Sequence, residues 1–140
     1  AIEALKDAYP ELSEHFKVAV IENSGFTQNH FDHIICSAVL HFAKSTSHFK
    51  LMLEELVRIL KPGGSLFIRM TSDIGIEDKV KHLADGVYVI PDGSTRLLLT
   101  RQLLADCMHA YNLSFIEPIK TTNVADERCM STLVLQKNAS

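Results

Sequence analysis

A histidine and an arginine are the residues of this sequence best suited to act on a bound ligand, and each stands near the end of a short apolar run. His41 lies four residues beyond the run 31–37, and its imidazole could remove a proton from a nucleophile, or orient one, near neutral pH. Because Leu40 and Phe42 flank it, a packed, hydrogen-bonded histidine is the alternative. Arg69 ends a second run and could bind an anionic substrate group or form a salt bridge.

Polar residues follow that second run and predict a ligand site by their position. Residues 71–75 are polar and contain glycine, so they are expected to form the loop where a strand ends. Open α/β sheets bind their ligands beyond the carboxyl ends of parallel strands, which makes Thr71, Ser72 and Asp73 candidate site residues. Tyr88 could shape a substrate pocket from a later hairpin, although exposed hairpin decoration explains it as well; the same holds for Arg96 and Asp92.

The segment from residue 31 to residue 70 predicts the elements that position these side chains. Residues 31–37 have little polar alternation, as in a strand that is covered on both faces. Residues 51–60 show helical periodicity, and residues 61–64, Lys-Pro-Gly-Gly, predict a tight turn into a strand at 65–70. Two strands joined by one helix should be parallel, with a right-handed crossover. The apolar side of the helix comprises Phe49, Met52, Leu53, Leu56, Val57 and Leu60.

The remaining segments predict one α/β domain that spans residues 1–140. A helix that Thr100 caps and Asn112 terminates precedes two strands that only a polar loop separates, so these last strands should be antiparallel. The other predicted elements are a helix before Pro10, a strand at 16–21, a weak helix at about 76–84, a hairpin of 87–90 with 95–99, and final strands at 113–119 and 130–136 around the loop 121–128.

Composition limits the classes of partner and site. With 140 residues, 46% of them hydrophobic, and a formal net charge of -3, the chain has no general attraction for nucleic acid or for acidic membranes. No apolar run is long enough to span a bilayer, so a cytoplasmic protein is the simplest expectation. Cys36, Cys107 and Cys129 form no paired motif and are expected to be buried thiols. The histidines show no metal-ligand spacing, and no metal is expected.

Two segments carry a resemblance to a known family. FDHIICSAVLHF (31–42) and LEELVRILKPGGSLFI (53–68) resemble the fourth strand, and the following helix and fifth strand, of class I S-adenosylmethionine-dependent methyltransferases. The closing antiparallel pair is similar to the last two strands of that family. The resemblance implies an α/β Rossmann-like sheet, mostly parallel with an antiparallel final strand and with helices on both faces. It also implies S-adenosylmethionine as cofactor and a small-molecule methyl acceptor.

The resemblance also implies roles for four residues near the expected cofactor. Glu22 and Asn23 occupy the place of the loop that contacts adenine in the family, with a solvated loop as the alternative. Ser37 and Ala38 match the strand end that approaches the methionine part of the cofactor, where small residues allow close contact, or they simply end a strand. His41 is then the catalytic candidate, and Arg69, Thr71 and Tyr88 are the substrate candidates.

The sequence departs from the family pattern in its cofactor motif. It contains no G-x-G-x-G, and the acidic residue that binds the ribose in the family is also missing. We therefore expect the amino-terminal strands of the fold to be missing and the sequence to be a portion of a longer chain; alternatively, a homodimer or strand swap fills the gap. The alternative function is a non-catalytic Rossmann-like module that binds a partner chain. A nucleotide-dependent oxidoreductase is disfavoured by the antiparallel end.

Overall fold

A computed structural model describes residues 1–139, which form three α-helices and eight strands. The helices are α1 (Ile2–Ala8), α2 (Thr46–Ile59) and α3 (Arg101–Ala110), with short 3-10 helices at Pro10–His15 and Leu40–Phe42. The strands are β1 (Phe31–Ser37), β2 (Leu60–Ser72), β3 (Lys81–Ala84), β4 (Val87–Val89), β5 (Thr95–Leu97), β6 (Leu113–Phe115), β7 (Lys120–Val124) and β8 (Arg128–Lys137).

The predicted strand–helix–strand unit is confirmed, with β1 and β2 paired in parallel. The pairing runs from His33 opposite Ser65 to Ser37 opposite Arg69, so both strands end at the same edge of the sheet. Gly64 lies buried at the start of β2, where an added Cβ would come within 2.8 Å of the carbonyl oxygen of Asp32. Only glycine therefore allows β2 to approach β1 this closely.

The main sheet has the strand order β1-β2-β8-β6, and β7 also pairs with β8. β2, β6 and β7 are each antiparallel to β8, so four strands run in one direction and β8 alone runs in the other. This arrangement confirms the predicted α/β Rossmann-like sheet with its reversed final strand. Strands β3, β4 and β5 form a separate antiparallel sheet, which contains the predicted hairpin.

α2 and α3 cover one face of the main sheet. The side-chain oxygen of Ser45 accepts the N–H of His48 at 3.0 Å and caps α2, and Thr100 caps α3 as predicted. The apolar side of α2 packs with buried residues of β2 and β8 in one hydrophobic core. The opposite face is more open, since Ile35 of β1 is 77% exposed.

Three predicted elements are wrong, and each error has a tertiary or turn-based cause. Residues 16–21 form no strand, because within residues 1–139 no strand pairs with them and only an isolated bridge joins Val20 to Asn23. The helix at 76–84 is replaced by β3, which pairs with β4 across Asp85 and Gly86. Both turn residues have positive φ, the signature of a two-residue hairpin. Half of the predicted loop 121–128 belongs to β7, and its last residue begins β8.

Among residues 1–139, no helix is long and apolar enough to cross a membrane. Cys36, Cys107 and Cys129 are all buried and free, as predicted. Burial raises the pKa of Cys36 and of Cys107 to about 11, and it raises that of Cys129 as well. All three are therefore protonated packing groups at neutral pH.

Candidate functional site

A cavity of about 190 Å³ lies at the carboxyl ends of β1 and β2, the sheet edge where the sequence predicts a ligand. Residues from β2, β5 and β8, and from the segment that follows β1, line it together. The lining residues are Ala38, His41, Arg69, Thr71, Arg96, Arg128 and Met130.

Ala38 turns the chain sharply as β1 ends. Its φ is 59°, in the left-handed region that a residue with a Cβ rarely adopts. Its N–H donates to the carbonyl oxygen of Arg69 at 2.7 Å, a bond that holds this conformation against β2. Strained backbone of this kind persists only where surrounding contacts enforce it, and it is frequent at functional sites. Ser37 is exposed directly before it.

His41 is held as a neutral imidazole in the wall of the cavity. It is only 5% exposed, its ring packs 4.5 Å from the ring of Phe42, and its Nδ1 accepts the N–H of Thr71 at 3.0 Å. A ring nitrogen that accepts carries no proton, so the proton of the neutral ring is on Nε2. Burial, and then the charges of Arg96, Arg128 and Arg69, lower the pKa of His41 to about 4.

The burial and hydrogen bonding of His41 limit its possible roles in a reaction. Near neutral pH its Nε2–H is available as a hydrogen-bond donor. An imidazole whose conjugate acid has a pKa of about 4 is a weak proton acceptor. The catalytic role of His41 stays a prediction, and the geometry favours orientation of a ligand over removal of a proton.

Hydrogen bonds of Thr71 connect the β3-β4-β5 sheet to the main sheet beside His41. It is buried, its hydroxyl donates to the carbonyl oxygen of Leu97 at 3.4 Å, and its own carbonyl oxygen accepts the N–H of Leu99 at 3.0 Å. These bonds bring β5, and with it Arg96, to the end of β2. Thr71 therefore lines the cavity and also fixes its geometry.

Three arginines from three different strands line the cavity. Arg69 lies near the end of β2, Arg96 on β5 and Arg128 at the start of β8. Arg96 stacks over the ring of Phe42 at 4.8 Å from its centre. Arg128 Nη1 lies 3.6 Å from a carboxylate oxygen of Asp92. The residues that line the cavity therefore carry a net positive charge.

The structure separates the other predicted site residues from this cavity. Tyr88 lines a different depression, where its ring is 5.0 Å from that of His82. The carboxylate of Glu22 lies 3.1 Å from Nε2 of His48, and Asn23 is exposed beside it. A hydrogen bond from its own backbone, and then one from His48, lower the pKa of Glu22.

Of the candidates Thr71, Ser72 and Asp73, Thr71 alone lines the cavity, and the first two belong to β2. Ser72 is buried, with its hydroxyl 2.6 Å from that of Ser131 in the sheet interior. Asp73 is partly buried outside the cavity lining, and burial, followed by the charge of Glu77, raises its pKa. A site role for these three residues stays a prediction.

Arg128 and Met130 line the cavity, and the sequence interpretation missed both. Residues 121–128 were expected to be loop, so Arg128 received no position relative to the site. The available signal was the antiparallel pairing: a final strand that runs against β2 must start where β2 ends. The register confirms this, because Ser72 of β2 is opposite Cys129 of β8.

No cluster of three or more histidine, cysteine, aspartate or glutamate residues able to hold a metal ion occurs in the described range 1–139.

Comparisons with known proteins find a similarity in the first part of the chain. A family model described as "Methyltransferase domain" matches residues 1–68, which extend from α1 into β2. No curated protein matches the sequence.

Solved structures share the fold at low sequence identity. The [4+2]-cyclase SpnF is 15% identical with a TM-score of 0.70, over 99% of this chain and 63% of that one. A S-adenosylmethionine-dependent methyltransferase from Methanosarcina mazei is 16% identical with a TM-score of 0.69, over 89% and 68%. The Burkholderia thailandensis 1,6-didemethyltoxoflavin-N1-methyltransferase, solved with 1,6-didemethyltoxoflavin and S-adenosylhomocysteine, is 14% identical with a TM-score of 0.64, over 94% and 56%.

Residues 1–68 are thus similar to a methyltransferase domain, and the chain shares the fold of these solved structures. The chain spans 56 to 68% of the length of these three structures.

Proposed function

We propose that the protein transfers a methyl group from S-adenosylmethionine to a small molecule. The match of residues 1–68 to a methyltransferase domain carries this proposal, because the matched residues build the β1–α2 unit and end inside β2. The cavity lies immediately beyond, at the carboxyl ends of the same strands. A small-molecule acceptor is also what the Burkholderia thailandensis relative was solved with.

The residues at the end of β1 fit the methionine part of the cofactor. Ser37 and Ala38 are small and exposed, and the left-handed turn at Ala38 lies where β1 ends. The carboxylate of Glu22 is an acceptor suited to an adenine amino group, with Asn23 beside it. When bound, the cofactor would supply a methyl group on a sulfonium, from which a neutral sulfide is a good leaving group.

The protein's own contribution is then to hold the acceptor in line. Positioning alone can supply a large part of the rate of a reaction of this type. His41 presents Nε2–H, and Arg69 and Thr71 line the same cavity, so an acceptor that these groups bind would lie next to Ala38. Tyr88 lies outside this arrangement, in a separate depression.

Calorimetric titration of the chain with S-adenosylmethionine and S-adenosylhomocysteine, over several salt concentrations and pH values, tests the proposal. We expect saturable binding that Ala38→Val weakens, because the larger side chain crowds the strand end and disfavours positive φ. Tyr88→Phe, outside the cavity, is the matched control and should bind as the parent does. An absence of binding heat under all conditions would contradict the proposal.

Association with a partner chain is the second candidate function. It is favoured by β1, which is an edge strand of the main sheet within residues 1–139, and by the 77% exposure of Ile35 on it. Homodimer formation or a strand swap would cover this edge. Sedimentation velocity, read together with the calorimetry, discriminates the two functions. A concentration-dependent dimer that binds no cofactor favours the partner-binding module. A monomer that binds cofactor favours the enzyme.

A further inference from the structure

The cavity beside Ala38 carries more positive charge than the surrounding carboxylates balance. Arg69, Arg96 and Arg128 all line it, and Arg128 is paired with Asp92. Within residues 1–139, neither Arg69 nor Arg96 forms an ion pair with a carboxylate. Among the described residues, Asp92 is therefore the one carboxylate that forms an ion pair with any of the three guanidinium groups.

The carboxylate of Asp92 already interacts with other groups of the protein. Hydrogen bonds from Ser94 lower its pKa first, and the charges of Arg96 and Arg128 lower it further, so it is ionised at neutral pH. Its charge offsets about one of the three positive charges. The remaining excess is available to an anion, since guanidinium groups bind carboxylate and phosphate oxygens with paired, charge-assisted hydrogen bonds.

The size of the cavity limits what it can hold. Its volume of about 190 Å³ is below the roughly 300–1,000 Å³ of sites that enclose a whole drug-sized ligand. It suits a small anion, or the anionic end of a larger acceptor. His41 adds a neutral donor, because its Nδ1 is occupied by the N–H of Thr71 and its proton is on Nε2.

We propose that Arg69, Arg96 and Arg128 bind an anionic group of the acceptor, a carboxylate or a phosphate, and so hold the acceptor beside Ala38. The assignment of this anion to a methyl acceptor rests on the proposed function. The existence of the anion site does not rest on the proposed function, because the arginine charges and the cavity are observed whatever reaction the protein catalyses.

Arginine side-chain NMR of the full chain provides a direct test. The ¹⁵N-labelled protein, in a buffer free of phosphate and carboxylate, is titrated separately with inorganic phosphate, benzoate and neutral benzamide. We expect phosphate or benzoate to shift the Nε–Hε signals of the three cavity arginines, while benzamide has no effect. The tighter-binding anion tells which of the two groups the acceptor carries.

Substitutions connect the binding to individual residues. Arg69→Gln and Arg96→Gln should each weaken anion binding roughly tenfold, the loss expected for a charge-assisted hydrogen bond. Arg101→Gln removes the same charge from an exposed position at the start of α3, outside the cavity, and should leave binding unchanged. Should Arg69→Gln fail to fold, Arg96→Gln on the hairpin and Arg128→Gln at the strand start carry the same comparison.

The outcomes separate this proposal from the proposed function. Binding of S-adenosylhomocysteine without binding of either anion overturns the anion site. Equal shifts of all arginines, Arg101 included, or equal weakening by Arg101→Gln, also overturn it, because they indicate nonspecific attraction. Anion binding without S-adenosylhomocysteine binding supports the anion site and counts against the methyltransferase proposal.

Discussion

Mild acid should destabilise the protein through His41. The unfolded chain binds a proton at this residue with the ordinary pKa of 6.5, whereas burial and the charges of Arg96, Arg128 and Arg69 lower the pKa in the folded chain to about 4. Between these values the unfolded state binds more protons than the folded state, so the free energy of unfolding falls as the pH falls.

Linkage gives the size of the effect. Between pH 7.5 and pH 5 the difference between the two pKa values removes about 2 kcal/mol, and the full loss by pH 4 approaches about 3 kcal/mol. The carboxylates with lowered pKa act at lower pH: the stability from Glu55, whose pKa is lowered to about 2, is lost as the pH falls below about 4.5. The interval from pH 6.5 to pH 5 therefore reports mainly on His41.

Urea unfolding followed by circular dichroism at pH 7.5 and pH 5 measures this loss. His41→Gln keeps an acceptor for the N–H of Thr71 but cannot be protonated, so we expect its loss to be smaller by about 2 kcal/mol. His15→Gln, at an exposed position, should behave as the parent does. A His41→Gln protein that loses as much stability as the parent would refute the reasoning, as would a His41 pKa near 6.5 in an NMR titration.

Four further substitutions test contacts of the fold outside the cavity. Glu55→Gln should lower stability at pH 7 but little at pH 2, because the hydrogen bonds and charge that lower the Glu55 pKa stabilise only the ionised form; urea unfolding at both pH values checks this. Leu66→Ala, at a fully buried position, should cost about 2–5 kcal/mol, whereas Ile35→Ala, at an exposed position on the adjacent strand, should cost less than about 0.5 kcal/mol; equal losses in urea would contradict the assigned faces. Gly86→Ala should lower the melting temperature, because φ is 83° and the new Cβ would collide with the hydroxyl of Thr46; an unchanged melting temperature would show that the hairpin adapts.

The elements that are built from local pattern were predictable from the sequence. The periodic apolar residues of α2, the cap at Thr100 and the left-handed Asn112, with φ of 53°, are set by neighbours a few residues away. The parallel pairing of β1 with β2 follows because one helix connects them. Asp85–Gly86 is also a local sequence signal for a two-residue hairpin turn. The sequence interpretation did not use this signal and therefore missed β3.

The sequence by itself thus determined the strand–helix–strand unit, the reversed final strand and the edge of the sheet where the cavity lies. Only the tertiary structure decided which side chains meet there. Arg69, Arg96 and Arg128 are far apart in the chain and converge because β8 begins where β2 ends and because Thr71 fastens β5 to the same place. Periodicity assigns a residue to a face of its own element, but contacts between elements depend on register and packing, which no local pattern contains.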